Sequence, residues 1–195
     1  MEFLLQELKK NNIIKKGHFK LTSGMHSDTY INKDLITSNK EIFDMVISGF
    51  SNYIYACLVD REMIITSPAV AGIPYGVATA FHNHMQFLYP EKDESEEMYF
   101  RRGFPDIIKG RDVLIIEDII TTGKSVDSTA AAIRACGGNP YGLLCIWNRT
   151  GYKPMWTKFS KTLITEKVIS YDAANCPLCK KGIKLEDPKN AMQQM

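Results

Sequence analysis

The stretch Val113-Leu114-Ile115-Ile116-Glu117-Asp118-Ile119-Ile120-Thr121-Thr122-Gly123-Lys124-Ser125 limits most severely what this chain can fold into. Its β-branched apolar run reads as a strand, and the apolar spacing from Ser125 to Cys136 reads as a helix. Strand, acidic tip, small polar turn and helix follow one another without a spacer, which is the repeating unit of an α/β sheet. The turn has its own chemistry. Thr121, Thr122, Gly123 and Ser125 offer hydroxyls and backbone N–H groups at a helix N-terminus, where unpaired donors and the helix dipole favour a phosphate. Glu117 and Asp118 would repel that phosphate but suit hydroxyls or a hard cation beside it. The combination fits a sugar phosphate.

Gly123-Lys124-Ser125 invites a P-loop reading, but the glycine that motif needs five positions earlier is Asp118. A nucleoside triphosphate cradle is therefore rejected. Two acids, two apolar residues and Thr-Thr-Gly after an apolar strand resemble the phosphoribosyl pyrophosphate signature of type I phosphoribosyltransferases. That resemblance implies that residues Glu117, Asp118, Ile119, Ile120, Thr121, Thr122, Gly123, Lys124 and Ser125 bind phosphoribosyl pyrophosphate. The plain structural alternative is a sheet strand that ends in a solvated turn, with Asp118 supporting it.

A length of 195 residues with 45% hydrophobic content suffices for one domain with one substantial core. A net charge of +2, with no basic run or stacking aromatic pattern, gives no case for nucleic acid. No apolar run approaches membrane-spanning length, and the N-terminus lacks the basic and apolar regions of a signal peptide. Five cysteines, an odd number, point to reduced thiols and a cytoplasmic location.

Earlier in the chain, Phe3, Leu4, Leu5 and Leu8 mark a short amphipathic helix, and residues 17–32 read as a hairpin around Ser23-Gly24. The run Phe19-Lys20-Leu21-Thr22-Ser23-Gly24 resembles the N-terminal segment of orotate phosphoribosyltransferases, which implies that Tyr30 and Ile31 lie beside orotate. Some members carry a lysine where this chain has Thr22, so that pyrophosphate contact does not transfer. A helix is expected from Lys40 to Cys57 and a strand at Met63–Thr66, followed by a small-residue turn that the resemblance assigns to pyrophosphate.

Residues 90–97 are acidic and turn-rich, as in a mobile lid, and an exit strand from Met98 to Phe104 carries Arg101 and Arg102. Cations in a lid could screen a departing pyrophosphate; the alternative is that Arg101 and Arg102 are a solvated pair on an edge hairpin. The segment lacks the Arg-Lys-Glu-x-Lys-x-His-Gly string of many orotate enzymes. It is closer to a second version, Glu-Arg-Glu followed by Met-x-Leu-Arg-Arg-Gly-Phe, with Lys92 at the arginine and Phe100 at the leucine. The resemblance therefore implies catalytic roles for Glu117, Asp118, Lys92, Arg101 and Arg102.

Gly137-Gly138-Asn139-Pro140 stops the signature helix, and Tyr141–Trp147 reads as a strand that delivers Arg149 to the same edge. A guanidinium there suits a planar carboxylate. By the resemblance, Arg149 and Thr121 contact orotate. Residues 159–168 are expected to form a final strand pair. Cys176-Pro177-Leu178-Cys179 holds one Cys-x-x-Cys, but no second pair or neighbouring His-x-His completes a zinc set, so free thiols are expected. His18, His26, His82 and His84 are read as packing or surface residues.

The expected fold is a three-layer α/β domain over residues 1–195, a mostly parallel sheet flanked by helices, with a small hood from about 1–35 and 160–195. The expected activity is Mg²⁺-dependent transfer of phosphoribose from phosphoribosyl pyrophosphate to orotate by a homodimer whose lids close over the partner's sites. Mg²⁺ would be held mainly by the substrate, not by a protein metal site. Two alternatives remain at this point: a phosphoribosyltransferase for a purine base, or a non-catalytic phosphoribosyl-pyrophosphate-binding regulator.

Overall fold

The structure, a computed structural model, describes residues 2–21, 23–58, 62–165 and 167–188. In chain order the first elements are α1 (Glu2–Lys10), β1 (Ile14–Lys20), β2 (His26–Ile31), α2 (Asp34–Ser38) and α3 (Lys40–Leu58). Then come β3 (Met63–Thr66), α4 (Ile73–His82), β4 (Gln86–Leu88), β5 (Glu91–Lys92), β6 (Met98–Tyr99) and α5 (Phe104–Ile108). The last are β7 (Asp112–Ile120), α6 (Lys124–Ala135), β8 (Asn139–Asn148), β9 (Phe159–Ile164), β10 (Ser170–Tyr171) and α7 (Pro177–Lys180). These fall into two compact units, residues 43–165 and residues 2–42 with 167–188.

The larger unit is built on a five-stranded sheet, β4-β3-β7-β8-β9, in which every pairing is parallel. Parallel strands need crossovers, and helices α4 and α6 provide two of them while packing on the sheet. Burial on both faces explains why Met63–Thr66 and Val113–Ile116 are buried without alternation. Helix α3 packs near β9: a Cβ on Gly49 would lie 2.8 Å from the Leu163 side chain, which would have to shift to admit it. Of the expected strand pair at 159–168, the described residues form the single edge strand β9, paired in parallel with β8; residue 166 lies outside the described residues.

The register sets up the site. Thr66, the last residue of β3, pairs with Ile115, whereas β7 continues alongside β8 to the pair Ile120–Asn148. Glu117 to Ile120 therefore project beyond the end of β3, at the carboxyl edge of the sheet. The Ala69–Val70 peptide bond in the loop that follows β3 is cis.

The smaller unit is an antiparallel sheet, β1-β2-β10, with α1 against β1 and the C-terminal segment pairing at Phe19–Glu186. Among the described residues no helix is long and apolar enough to cross a membrane.

Candidate active site

Strand β7 ends in two buried carboxylates, Glu117 at 6% and Asp118 at 3% exposure. Each turns back on the backbone: Asp118 N–H donates to Glu117 Oε1 at 3.0 Å, and Ile119 N–H donates to Asp118 Oδ1 at 2.5 Å. Glu117 also limits the loop after β3, since a Cβ on Gly72 would lie 3.1 Å from Glu117 Oε1. That loop and the acids therefore share one edge.

Thr121, Thr122 and Gly123 form the turn into α6, and Gly123 is its cap residue with φ +84°. Two constraints demand glycine there: the left-handed backbone, and the Tyr152 ring, which an added Cβ would approach to 2.4 Å. Lys124 N–H donates to Thr122 Oγ1 at 3.3 Å, tightening the first turn. Thr121, Thr122, Lys124 and Ser125 are exposed at the helix N-terminus, the arrangement that receives an anion.

The end of β8 is tied to this turn. Arg149 N–H donates to Ile120 O at 3.0 Å, and the Thr150 hydroxyl donates to Thr121 O at 2.6 Å. Arg149 and Thr121 thus stand on adjoining strand ends. Burial lowers the Arg149 pKa, yet arginine keeps its charge at neutral pH.

Residues with no separate signal in the sequence buttress the cradle. Asn148 Oδ1 accepts the N–H groups of Gly151 and Tyr152 at 3.0 and 3.1 Å, and its Nδ2 donates to Tyr152 O at 2.7 Å. The Tyr152 hydroxyl donates to Asp127, and Trp156 Nε1 donates to the same Oδ1 at 2.7 Å. Asp127, in the first turn of α6, is thereby engaged by two donors. The Tyr152 phenol is pushed up to about 12, first by burial and then by its bond to Asp127. Nothing local in the sequence links Asp127 to partners 25 and 29 residues away.

Residues 90–99 form a short hairpin, β5 against β6, with Glu91 opposite Tyr99 and Lys92 opposite Met98. It is fastened to α6: Met98 N–H donates to Ser128 Oγ at 2.8 Å, and Ser128 Oγ donates to Glu97 Oε2 at 2.7 Å. Met98 and Phe100 are buried with Val126 in the core. The expected exit strand stops at Tyr99, because Arg102 takes φ +61° and Gly103 φ +79° on the way into α5. All three lid cations are exposed and paired within the hairpin region: Lys92 with Glu96 at 2.5 Å, Arg102 with Glu91 at 3.1 Å, and Arg101 with Glu91 at 4.0 Å.

In the smaller unit Tyr30 is half-buried with its ring 5.6 Å from that of Phe19, and Ile31 is buried. Burial first, then the charges of Asp34 and Asp187, raise the Tyr30 pKa. Thr22 lies outside the described residues. The same unit overturns one expectation. His18, His26, Cys176 and Cys179 do converge, with potential ligand atoms all within 4.8 Å of one another. Strand pairing, not sequence proximity, supplies the two histidines.

No family model matches the chain. Two curated relatives are orotate phosphoribosyltransferases: that of Caldanaerobacter subterraneus subsp. tengcongensis is 34% identical, with 96% of each chain covered. That of Chlorobium phaeobacteroides is 31% identical, covering 98% of this chain and 96% of the relative. The chain belongs to the orotate phosphoribosyltransferase family. Solved structures agree on the fold shared by this family: the orotate phosphoribosyltransferase of Aeropyrum pernix superposes with TM-score 0.62 at 18% identity, covering 98% and 97% of the two chains. An adenine phosphoribosyltransferase of Saccharomyces cerevisiae gives 0.63 at 17% identity, covering 84% and 100%. Backbone likeness alone thus does not separate orotate from adenine enzymes, and the family assignment rests on sequence.

Proposed function

We propose that the protein transfers the phosphoribosyl group of phosphoribosyl pyrophosphate to orotate, giving orotidine 5-monophosphate and pyrophosphate. The observation that carries this reading is the juncture of the β7 and β8 ends, where Arg149 and Thr121 adjoin the phosphate cradle. A guanidinium beside a phosphate turn suits a substrate with its own carboxylate, which orotate has and purine bases lack. The purine-base and regulator alternatives are not favoured, because the relatives at 31% and 34% identity are orotate enzymes.

In this account the 5-phosphate rests on Thr121 to Ser125 and the ribose hydroxyls face Glu117 and Asp118. Arg149 and Thr121 hold orotate. The ring nitrogen attacks the anomeric carbon as its bond to pyrophosphate breaks, and Lys92, Arg101 and Arg102 balance the charge of the departing group. Glu117 and Asp118 stabilise the positive charge that develops on the sugar. No covalent step falls to the protein, so rate comes from positioning and electrostatics. The oxygen donors of Glu117 and Asp118 are compatible with Mg²⁺, which would be held mainly by the pyrophosphate and ribose hydroxyls and would neutralise charge on the leaving group. A cytoplasmic homodimer is part of this proposal, and the odd number of cysteines is in keeping with a reducing compartment.

Steady-state kinetics of Arg149→Leu tests the assignment. The orotate KM should rise at least tenfold while the phosphoribosyl pyrophosphate KM stays within about twofold, in keeping with loss of a charge-assisted contact. Wild-type protein inert towards orotate, or a variant with unchanged orotate KM, would contradict it.

A further inference from the structure

The four side chains that converge in the smaller unit take no part in phosphoribosyl transfer. His18 lies on β1 and His26 on β2. Lys20 is the register partner of His26, and the pairing shifts between Lys16 and Phe19, so His18 sits at an irregularity of β1 where its ring meets that of His26, with centroids 5.0 Å apart. Cys176 precedes α7 and Cys179 lies within it. Three of the four residues are almost fully enclosed: His18 at 1%, His26 at 6% and Cys176 at 0% exposure.

The spacing is that of a coordination shell. His18 Nε2 lies 3.0 Å from His26 Nδ1, 3.5 Å from Cys176 Sγ and 3.7 Å from Cys179 Sγ, and Cys179 Sγ lies 3.4 Å from His26 Nδ1. A tetrahedron around zinc with ordinary Zn–N and Zn–S bonds has edges of about 3.3 Å between nitrogens and about 3.6 Å between nitrogen and sulfur. These four of the six separations fall within about 0.3 Å of those edges, and the other two lie within 4.8 Å.

Hydrogen bonding alone does not account for the cluster. His18 Nδ1 lies 2.8 Å from Ile183 O, and a carbonyl only accepts, so Nδ1 carries the proton. In the neutral ring Nε2 then has a single lone pair, yet three polar atoms converge on it. A cation at the centre uses the lone pairs of both imidazoles and both thiolates at once. The bond from Nδ1 to a carbonyl is also the outer contact that fixes a metal-binding histidine's tautomer.

We infer that His18, His26, Cys176 and Cys179 form a structural Zn²⁺ site. Two thiolates and two imidazoles in a closed four-ligand set select zinc over magnesium or calcium, and leave no open position for catalysis. The site has a mechanical role. It joins residues 158 positions apart, adding to the ties of the C-terminal segment among the described residues, which include the two-residue β10, the bridge at Glu186 and the Ser27 hydroxyl bond to Ile169 O. A unit this small gains most from such a staple. The inference is independent of the proposed substrate.

The test uses the full-length protein without a histidine tag, purified under reducing conditions from zinc-supplemented medium. Elemental analysis should find about one zinc per chain. Cobalt exchanged into the wild-type protein should show the intense visible bands of a tetrahedral ion and a thiolate charge-transfer band. The double variant Cys176→Ser/Cys179→Ser should lose both signals, whereas Cys57→Ser, altered at an exposed cysteine, keeps them. Should the double variant fail to fold, titrating wild-type thiols with an organomercurial must release zinc as the two cysteines react. Wild-type protein with no stoichiometric zinc, cobalt bound without thiolate bands, or a Cys176–Cys179 disulfide under these conditions would overturn the site.

Discussion

Asp118 concentrates the chemical argument in one side chain. Its carboxylate is buried and already accepts the Ile119 N–H, a bond that an asparagine Oδ1 can reproduce. Asp118→Asn therefore removes charge while retaining shape, and turnover should drop on the order of 10²–10³-fold, the usual cost of losing one preorganised electrostatic group. The thermal midpoint should move little. A midpoint falling in step with activity would mark the residue as structural. Behind it, Cys145 pairs in register with Glu117 and is buried, so its thiol pKa rises to about 12, chiefly through lost solvation. The protonated form is the one the fold favours: this contribution is fully present below the ordinary thiol range and fades as pH climbs towards 12. Iodoacetamide at pH 8 should thus alkylate exposed Cys57 and spare Cys145 in the native protein, and equal labelling would contradict the burial argument. Legibility at this scale followed chain distance. Glu117 to Ser125 are contiguous and announced their chemistry in the sequence. The pairing of Asp127 with Tyr152 and the convergence of His18 with Cys176 depend on partners 25 and 158 residues apart.

Among the elements, the long helix α3 was legible because its helical spacing matches its buried face, and the strands β3, β7 and β8 because their continuous apolar runs match burial on both faces. The β5–β6 hairpin was not. Two-residue strands carry no period, and its anchor is Ser128 on α6, 30 residues beyond the Met98 N–H that it accepts. Ser128→Ala removes that acceptor and the partner of Glu97. Leaving a buried N–H unpaired costs about 1–3 kcal/mol, which in a chain of this size lowers the midpoint by a few degrees. Proteolysis within residues 93–97 should accelerate as the hairpin loosens. An unchanged cleavage rate would show that packing of Met98 and Phe100 holds it alone. Gly123→Ala tests the turn into α6. A left-handed φ and the Tyr152 ring both oppose a side chain, so the cradle should distort and the phosphoribosyl pyrophosphate KM should rise.

For the whole molecule, the proposed dimer makes each lid a component of its partner's site. Mixing Asp118→Asn with a chain altered at Lys92, Arg101 and Arg102 to alanine separates the two arrangements. If lids act across subunits, each mixed dimer holds one site with intact acids and an intact lid, and activity reappears. If they act within a subunit, every site retains a lesion and the mixture stays inactive, despite mass-spectrometric proof of mixed dimers. The central claim, however, is the substrate, and pyrophosphate release from phosphoribosyl pyrophosphate and Mg²⁺ with orotate, uracil or hypoxanthine tests it most directly. Uracil lacks only the carboxylate that Arg149 is proposed to hold, so orotate should be preferred in kcat/KM by at least about 100-fold, with hypoxanthine inert. Equal rates for orotate and uracil, or a preference for hypoxanthine, would contradict the account.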